Sequence, residues 1–396
     1  MSYHDLALFL AFIAVVAILL YRDRKKVKLQ GIMFVRRTQR GREFIDKVAH
    51  AAPRFWSFVG ASGIVIGLLA LVLISTFLVS NSVSIIQKPE QQQGIVFVLP
   101  GPTSEANLQP GLLLLPWWIW LIAVISVVVP HELAHGIMAR VDKIRIKSVG
   151  WILLVIIPGA FVEPDEKQLK RAKRRVKLKV YAAGSAANIL IAGIMLLVLS
   201  VSFNVMFEPT GTAFIANESS VFGKNMSGFI LSIDGKDVSG TNEFREIIAD
   251  YKPGDPVRIS VAENVRFMPK VRFTENLFGP VGMPDESNVT TYTVALQERP
   301  DGSGPYLGVA VPPVEGVKQN YAAFSLYSLM FWVFALNLFI GIFNMLPLKP
   351  LDGGLLFEET IGKYTKNAAK ITKIVSIIML VMLVFNFVGP IFLQML

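Results

Sequence analysis

Two histidines four positions apart with a glutamate between them, His131-Glu132-Leu133-Ala134-His135, are the residues of this sequence best equipped for chemistry. On a helix, positions i and i+4 share a face. Both imidazoles can then hold one metal ion while the carboxylate stays free to act as a general base. Two histidines packed at a helix end and satisfied by backbone carbonyls would account for the rings, but not for the glutamate. A catalytic zinc takes three protein ligands and keeps a fourth position for water, so one more ligand must come from elsewhere. The chain has no cysteine, which leaves nitrogen and oxygen donors. Of the other two histidines, His4 opens an apolar run and His50 lies in a basic segment, and neither is well placed.

Asp352 is the better candidate. It ends the run Asn344-Met-Leu-Pro347-Leu-Lys-Pro350-Leu351-Asp352 and is followed by Gly353-Gly354. Two prolines break a helix and free backbone groups, and two glycines permit close backbone approach or positive φ. Alone, Asp-Gly-Gly reads as a turn in water. Its position at the end of an apolar segment, on the same side as the histidines, makes it a ligand that can reach their metal.

The elements that must position these residues are apolar runs. The chain has 396 residues, 53% hydrophobic and 17% charged, against about 25% charged for an ordinary soluble domain. A bilayer is crossed by roughly 17–25 apolar residues, and five runs qualify: 3–21, 55–80, 181–207, 321–346 and 371–394. A sixth, 112–140, is apolar up to Val129 and then carries the histidine motif, with Pro130 placed to start or kink its helix. The first run lacks the basic leader and cleavage site of a signal peptide and reads as a retained helix. Residues 149–162 are apolar but too short to cross, and read as a re-entrant or interfacial segment that could offer an edge strand.

Charge sets the orientation. Segment 22–54 holds 11 Lys and Arg against three acids, and 163–180 holds eight against three. With six crossings and both termini outside, every basic segment, including Lys363–Lys373, falls on the cytoplasmic side. The net charge of +10 is thereby accounted for without nucleic acid. The basic segments read as solvated loops. The active site is expected toward the cytoplasm of a multi-pass cell-membrane protein. The one large loop, 208–320, is outside and acidic, with 10 basic residues and 15 acids. It reads as a folded α+β domain. Phe229–Ile233 is a strand, Asp234-Gly235 a turn, Glu243–Tyr251 a helix, and Val257–Val261, Thr291–Leu296 and Tyr306–Val311 are further strands. This order resembles a PDZ domain in its permuted bacterial and archaeal form, with 264–290 as an insertion. Asn217, Asn225 and Asn288 are N-x-S/T acceptors in the same loop.

Taken together, the histidine motif, Gly184-Ser185-Ala186-Ala187-Asn188 and Asn344–Gly354 resemble the site-2 protease family of intramembrane zinc metalloproteases over about residues 112–357. Ser185 stands where proline is common in that family, and Leu355 where a basic or polar residue is common. The resemblance implies a polytopic α-helical membrane protein of about six spans, with a re-entrant segment and an inserted extracytoplasmic α+β PDZ-like domain. Residues 1–111 would hold two helices and their loops, and 112–207 the first half of the protease core. Residues 208–320 would be the PDZ-like domain, 321–357 the second half of the core, and 358–396 a cytoplasmic segment with the last helix. It further implies that His131, His135 and Asp352 bind Zn2+ and that Glu132 is the catalytic acid–base. Asn344 would hold substrate. Asn188 would stand at the site, holding substrate or making an interhelical hydrogen bond. The expected substrates are transmembrane helices of other membrane proteins, unwound locally in the lipid bilayer and cut after a first cleavage. The PDZ-like domain would bind a peptide or exclude large ectodomains. Two rivals differ: a membrane zinc protease that uses a downstream glutamate, Glu358 or Glu359, as third ligand, and a membrane scaffold or metal transporter with no catalysis.

Overall fold

The computed structural model describes residues 3–31, 33–87, 97–103, 107–109, 112–154, 157–216, 226–271, 278–312 and 314–393. The chain divides into two compact units, Met1–Ile194 with Trp332–Leu396, and Met195–Phe331.

The first unit opens with helix α1 (Tyr3–Asp23). The basic segment after it is not a loop. It folds into an antiparallel hairpin, β1 (Val27–Gln30) and β2 (Met33–Thr38), followed by helix α2 (Arg40–Ala51). Ile45 and Ala49, one turn apart on α2, are fully buried and pack in a cluster with Ile137, Met138 and Val162, while Lys47 stays exposed. Helix α3 (Pro53–Gln87) is followed by a small sheet of β3 (Phe97–Gly101), β4 (Asn107–Gln109) and β5 (Leu112–Pro116), in the order β3-β5-β4.

Helix α4 (Trp117–Val141) carries the histidine motif. Pro130 lies inside it and does not begin it. The short apolar run that follows forms two strands, β6 (Ile146–Leu154) and β7 (Ile157–Pro164), in a sheet ordered β1-β2-β6-β7. Strand β7 is an edge strand, so the basic hairpin and the apolar run are one sheet. Helix α5 (Glu166–Arg171) is capped by Asp165, whose carboxylate accepts the Gln168 N–H at 3.0 Å. Helix α6 (Arg174–Met206) begins inside the run of cations expected as loop.

The second unit is built mainly of strands: β8 (Pro209–Ala216), β9 (Ser227–Ile233), β10 (Lys236–Asp237), β11 (Pro256–Ala262), β12 (Val265–Val271), β13 (Phe278–Pro284), β14 (Val289–Ala295), β15 (Gln297–Glu298), β16 (Pro305–Tyr306), β17 (Val309–Ala310) and β18 (Glu315–Val317), with helix α7 (Thr241–Ala249). The main sheet runs β12-β13-β18-β8-β9-β11-β14. Asp234 and Gly235, at φ 48° and 81°, make the tight turn between β9 and β10. Phe244, Ile247 and Ile248 of α7 pack with Ile230, Ile233, Val257 and Ile259 in one core. The expected insertion is the hairpin β12–β13, whose tip, 272–277, lies outside the described residues. Asn217 and Asn225 also lie outside them, whereas Asn288 precedes β14.

Helix α8 (Tyr321–Phe343) ends just before the double-proline segment, α9 (Asp352–Ile361) starts at the aspartate, and α10 (Ala368–Leu393) closes the chain. Among the described residues, five helices are long and apolar enough to cross a membrane: α3, α4, α6, α8 and α10. Within α1 the apolar stretch Phe9–Ile18 is shorter. Long helices with large exposed apolar side chains, such as Leu69, Val201 and Ile377, suit a lipid environment. This is a polytopic membrane architecture with a β-rich unit.

Candidate metal centre

Asp352 is the first residue of α9, and two backbone approaches put it there. The Gly353 N–H donates to the Asn344 carbonyl at 2.8 Å, tying the start of α9 to the end of α8. A Cβ on Gly353 would lie 2.2 Å from the Met345 carbonyl, and one on Gly354 would lie 2.6 Å from the Lys349 nitrogen. Of the two roles open to these glycines, close approach is the one realised.

The carboxylate then meets the imidazoles. Asp352 Oδ2 is 3.1 Å from Nε2 of His131 and 3.1 Å from Nε2 of His135, and the two Nε2 atoms are 3.2 Å apart. Zinc bonds of about 2.0–2.1 Å at tetrahedral angles would separate ligand atoms by about 3.3 Å. The observed triangle fits one ion to within two tenths of an ångström. No other group of three or more such side chains able to share a metal occurs among the described residues.

Helix α6 supplies the back of the site. A Cβ on Gly184 would stand 2.5 Å from both Nε2 atoms, so the missing side chain is the space in which an ion can sit. His135 Nδ1 lies 2.6 Å from the Val180 carbonyl, and because a carbonyl only accepts, Nδ1 carries the proton. The Nε2 lone pair of His135 is thereby turned toward the ion's place. Asn188, fully buried, has Nδ2 at 3.2 Å from Nδ1 of His131. Nitrogen, nitrogen and carboxylate oxygen are a donor set of catalytic zinc.

Glu132 points elsewhere along α4. Its Oε2 accepts the Val162 N–H of β7 at 2.9 Å. The structure therefore brings His131, His135, Asp352 and Asn188 together and anchors Glu132 to the neighbouring strand. Asn344 contributes its backbone carbonyl to the placement of Asp352. The other candidates among the described residues, His50, Glu358 and Glu359, lie outside this group. His50 is exposed on α2 with Nδ1 at 2.6 Å from the Asp46 carbonyl, and the His4 side chain lies outside the described residues. Glu358 is paired with Lys349, and Glu359 with Lys177 at 3.0 Å and Arg174 at 3.5 Å. Sequence reasoning gave no role to Gly184, Val162 or Val180. Gly184 alone had a signal, as the first residue of the Gly-x-x-x-Asn element.

A helix-borne His-Glu-x-x-His with a remote aspartate, set among apolar helices, defines a membrane metallopeptidase type of site. The chain belongs to peptidase family M50, the site-2 protease family, whose sequence model matches residues 119–386, about two-thirds of its length. It is 25% identical over 348 residues to an uncharacterized protein of Methanocaldococcus jannaschii, covering 86% of this chain and 81% of that protein. It is 24% identical over 289 residues to a protein of Clostridium perfringens whose name proposes a zinc metalloprotease, covering 61% of this chain and 86% of the relative. At the level of its family the chain is a membrane zinc metalloprotease.

Proposed function

We propose that this chain is an intramembrane endopeptidase that cuts peptide bonds within or near transmembrane helices of other membrane proteins. The observation that carries the reading is the meeting of His131, His135 and Asp352 within 3.2 Å of one another, from two separate helices. Zinc bound there would polarise a scissile carbonyl and acidify water. Glu132 takes the proton from the attacking water and passes it to the leaving amine. The Val162 N–H holds the Glu132 carboxylate toward the edge strand.

The same bond says how substrate could arrive. The Val162 N–H points away from β6, so the alternate residues Ala160 and Pro158 face the free edge with it. Proline has no N–H, and Val162 has given its own to Glu132. Ala160 is then the place where an unwound substrate strand pairs with β7, two residues from the anchor of the base. A transmembrane helix satisfies its own backbone, so it must unwind before it can pair.

The outline of cleavage after a prior cut rests on the family. In this reading the unit Met195–Phe331 contains an extracytoplasmic PDZ-like domain that binds a peptide end or excludes large ectodomains. Its α7 packed on β9 and β11 supports that reading. In the same reading β1, β2, α2 and α5 lie on the cytoplasmic side, which the basic segments 22–54 and 163–180 support, with α1 as a sixth crossing. The test is incubation of the purified protein with a panel of single-span membrane proteins, with and without a zinc chelator, and mass spectrometry of the products. Cuts inside the apolar segment that vanish with chelator and return with zinc are expected. Cleavage indifferent to chelator would refute the proposal.

A further inference from the structure

The role of Asn188 can be taken further, on the reading of the site as a metal centre. We infer that Asn188 is a positioning residue for His131, turning its carbonyl oxygen to the Nδ1 proton whenever Nε2 binds metal, and that it does not hold substrate. Three observations converge. Asn188 is 0% exposed. Its Nδ2 lies 3.2 Å from His131 Nδ1, while its Oδ1 is buried without a hydrogen-bond partner. The far side of the asparagine is closed by α8, because a Cβ on Gly341 would come within 3.1 Å of the Asn188 Cβ and 3.2 Å of the Ser185 carbonyl. In this structure the amide is out of contact with anything outside the protein.

The chemistry follows from the imidazole having one proton when neutral. With the proton on Nε2, Nδ1 is an acceptor and the Asn188 N–H suits it. With metal on Nε2, Nδ1 bears the proton, and an amide N–H facing it would oppose donor to donor. Turning the amide over presents Oδ1 to that proton and ends the isolation of the oxygen. Asparagine matches both ring tautomers, whereas aspartate matches only the metal-binding one and leucine matches neither. His135 needs no such partner, since the Val180 carbonyl fixes its tautomer permanently.

The experiment measures zinc affinity of the full chain in detergent by competition with a chromophoric chelator, for wild type, Asn188→Leu and Asn188→Asp. KM and kcat on a single-span substrate are measured alongside at saturating zinc. Asn188→Leu is expected to weaken zinc by about 10–100-fold, the usual effect of losing an outer partner of a metal-bound histidine. Asn188→Asp should bind at least as tightly as wild type, and neither variant should raise KM once zinc is saturating. Unchanged zinc affinity in Asn188→Leu, or a raised KM with zinc affinity intact, would overturn the inference. If the leucine variant does not fold, zinc binding weaker than wild type in Asn188→Asp overturns it. A wild-type chain that takes up no zinc would remove the metal centre itself, an outcome distinct from failure of the asparagine's role.

Discussion

Replacing Gly184 with alanine adds one methyl group to the face of α6 that looks at both imidazoles. The added Cβ would stand 2.5 Å from Nε2 of His131, 2.5 Å from Nε2 of His135 and 2.6 Å from Cδ2 of His131. Comfortable contact needs about 3.5–4.0 Å, so the rings or the helix must give way by about 1 Å. Metal–ligand distances tolerate only about ±0.2 Å. Overpacking of this kind typically costs about 1–3 kcal/mol, and at about 1.4 kcal/mol per tenfold that weakens zinc by roughly 5- to 150-fold. Gly193, nine positions further along α6, is the control, because a Cβ there meets nothing within 4 Å. Gly193→Ala should leave zinc affinity unchanged and stabilise the helix by up to about 1 kcal/mol. The assay is zinc competition on both variants, with thermal unfolding in chelator to separate metal loss from unfolding. Wild-type zinc affinity in Gly184→Ala would refute the argument that this glycine reserves the ion's place.

Three further outcomes are expected. Glu132→Gln should retain zinc, because Glu132 is outside the donor triangle, and should lose cleavage by at least about 100-fold as the proton carrier disappears; product analysis and metal content check both. Asp352→Ala should lose zinc while Glu358→Ala keeps it, since Glu358 is paired with Lys349; the reverse result would favour a downstream glutamate as ligand. In the β-rich unit, the Arg258 backbone N–H at 2.8 Å, helped by the Tyr251 hydroxyl, holds the Asp234 carboxyl below its ordinary value. A lowered folded-state value adds stability above the unfolded carboxylate range, and that stability is lost as pH falls through the folded value. Asp234→Asn, which tolerates the left-handed backbone there, should flatten this acid dependence in a pH series of thermal unfolding.

The metal triangle was legible in the sequence because its two parts announce themselves locally. A four-residue histidine spacing is a property of one helix, and an aspartate flanked by two prolines and two glycines at the end of an apolar run marks a broken helix. The long helices were legible by length and composition. The sheet β1-β2-β6-β7 was not. Its strands are short, two of them sit among cations, and charge counts report which side of a bilayer a segment occupies, not whether its backbone pairs. Helix α2 could have been found from Ile45 and Ala49 one turn apart. The anchor of Glu132 on Val162, and the space kept by Gly184, depend on neighbours 30 and about 50 residues away along the chain. No local pattern records such a meeting.

Where α9 leaves the double-proline segment main chain rests on main chain, so the reach of Asp352 is set by the bare backbone of Gly353 and Gly354, with Met345 and Leu356 buried behind it. The outward flanks of α8 and α10, with Leu326, Phe339, Val381 and Val384 turned to the surroundings, stand outside that packed cluster. A single methyl group at Gly353 would be felt at once.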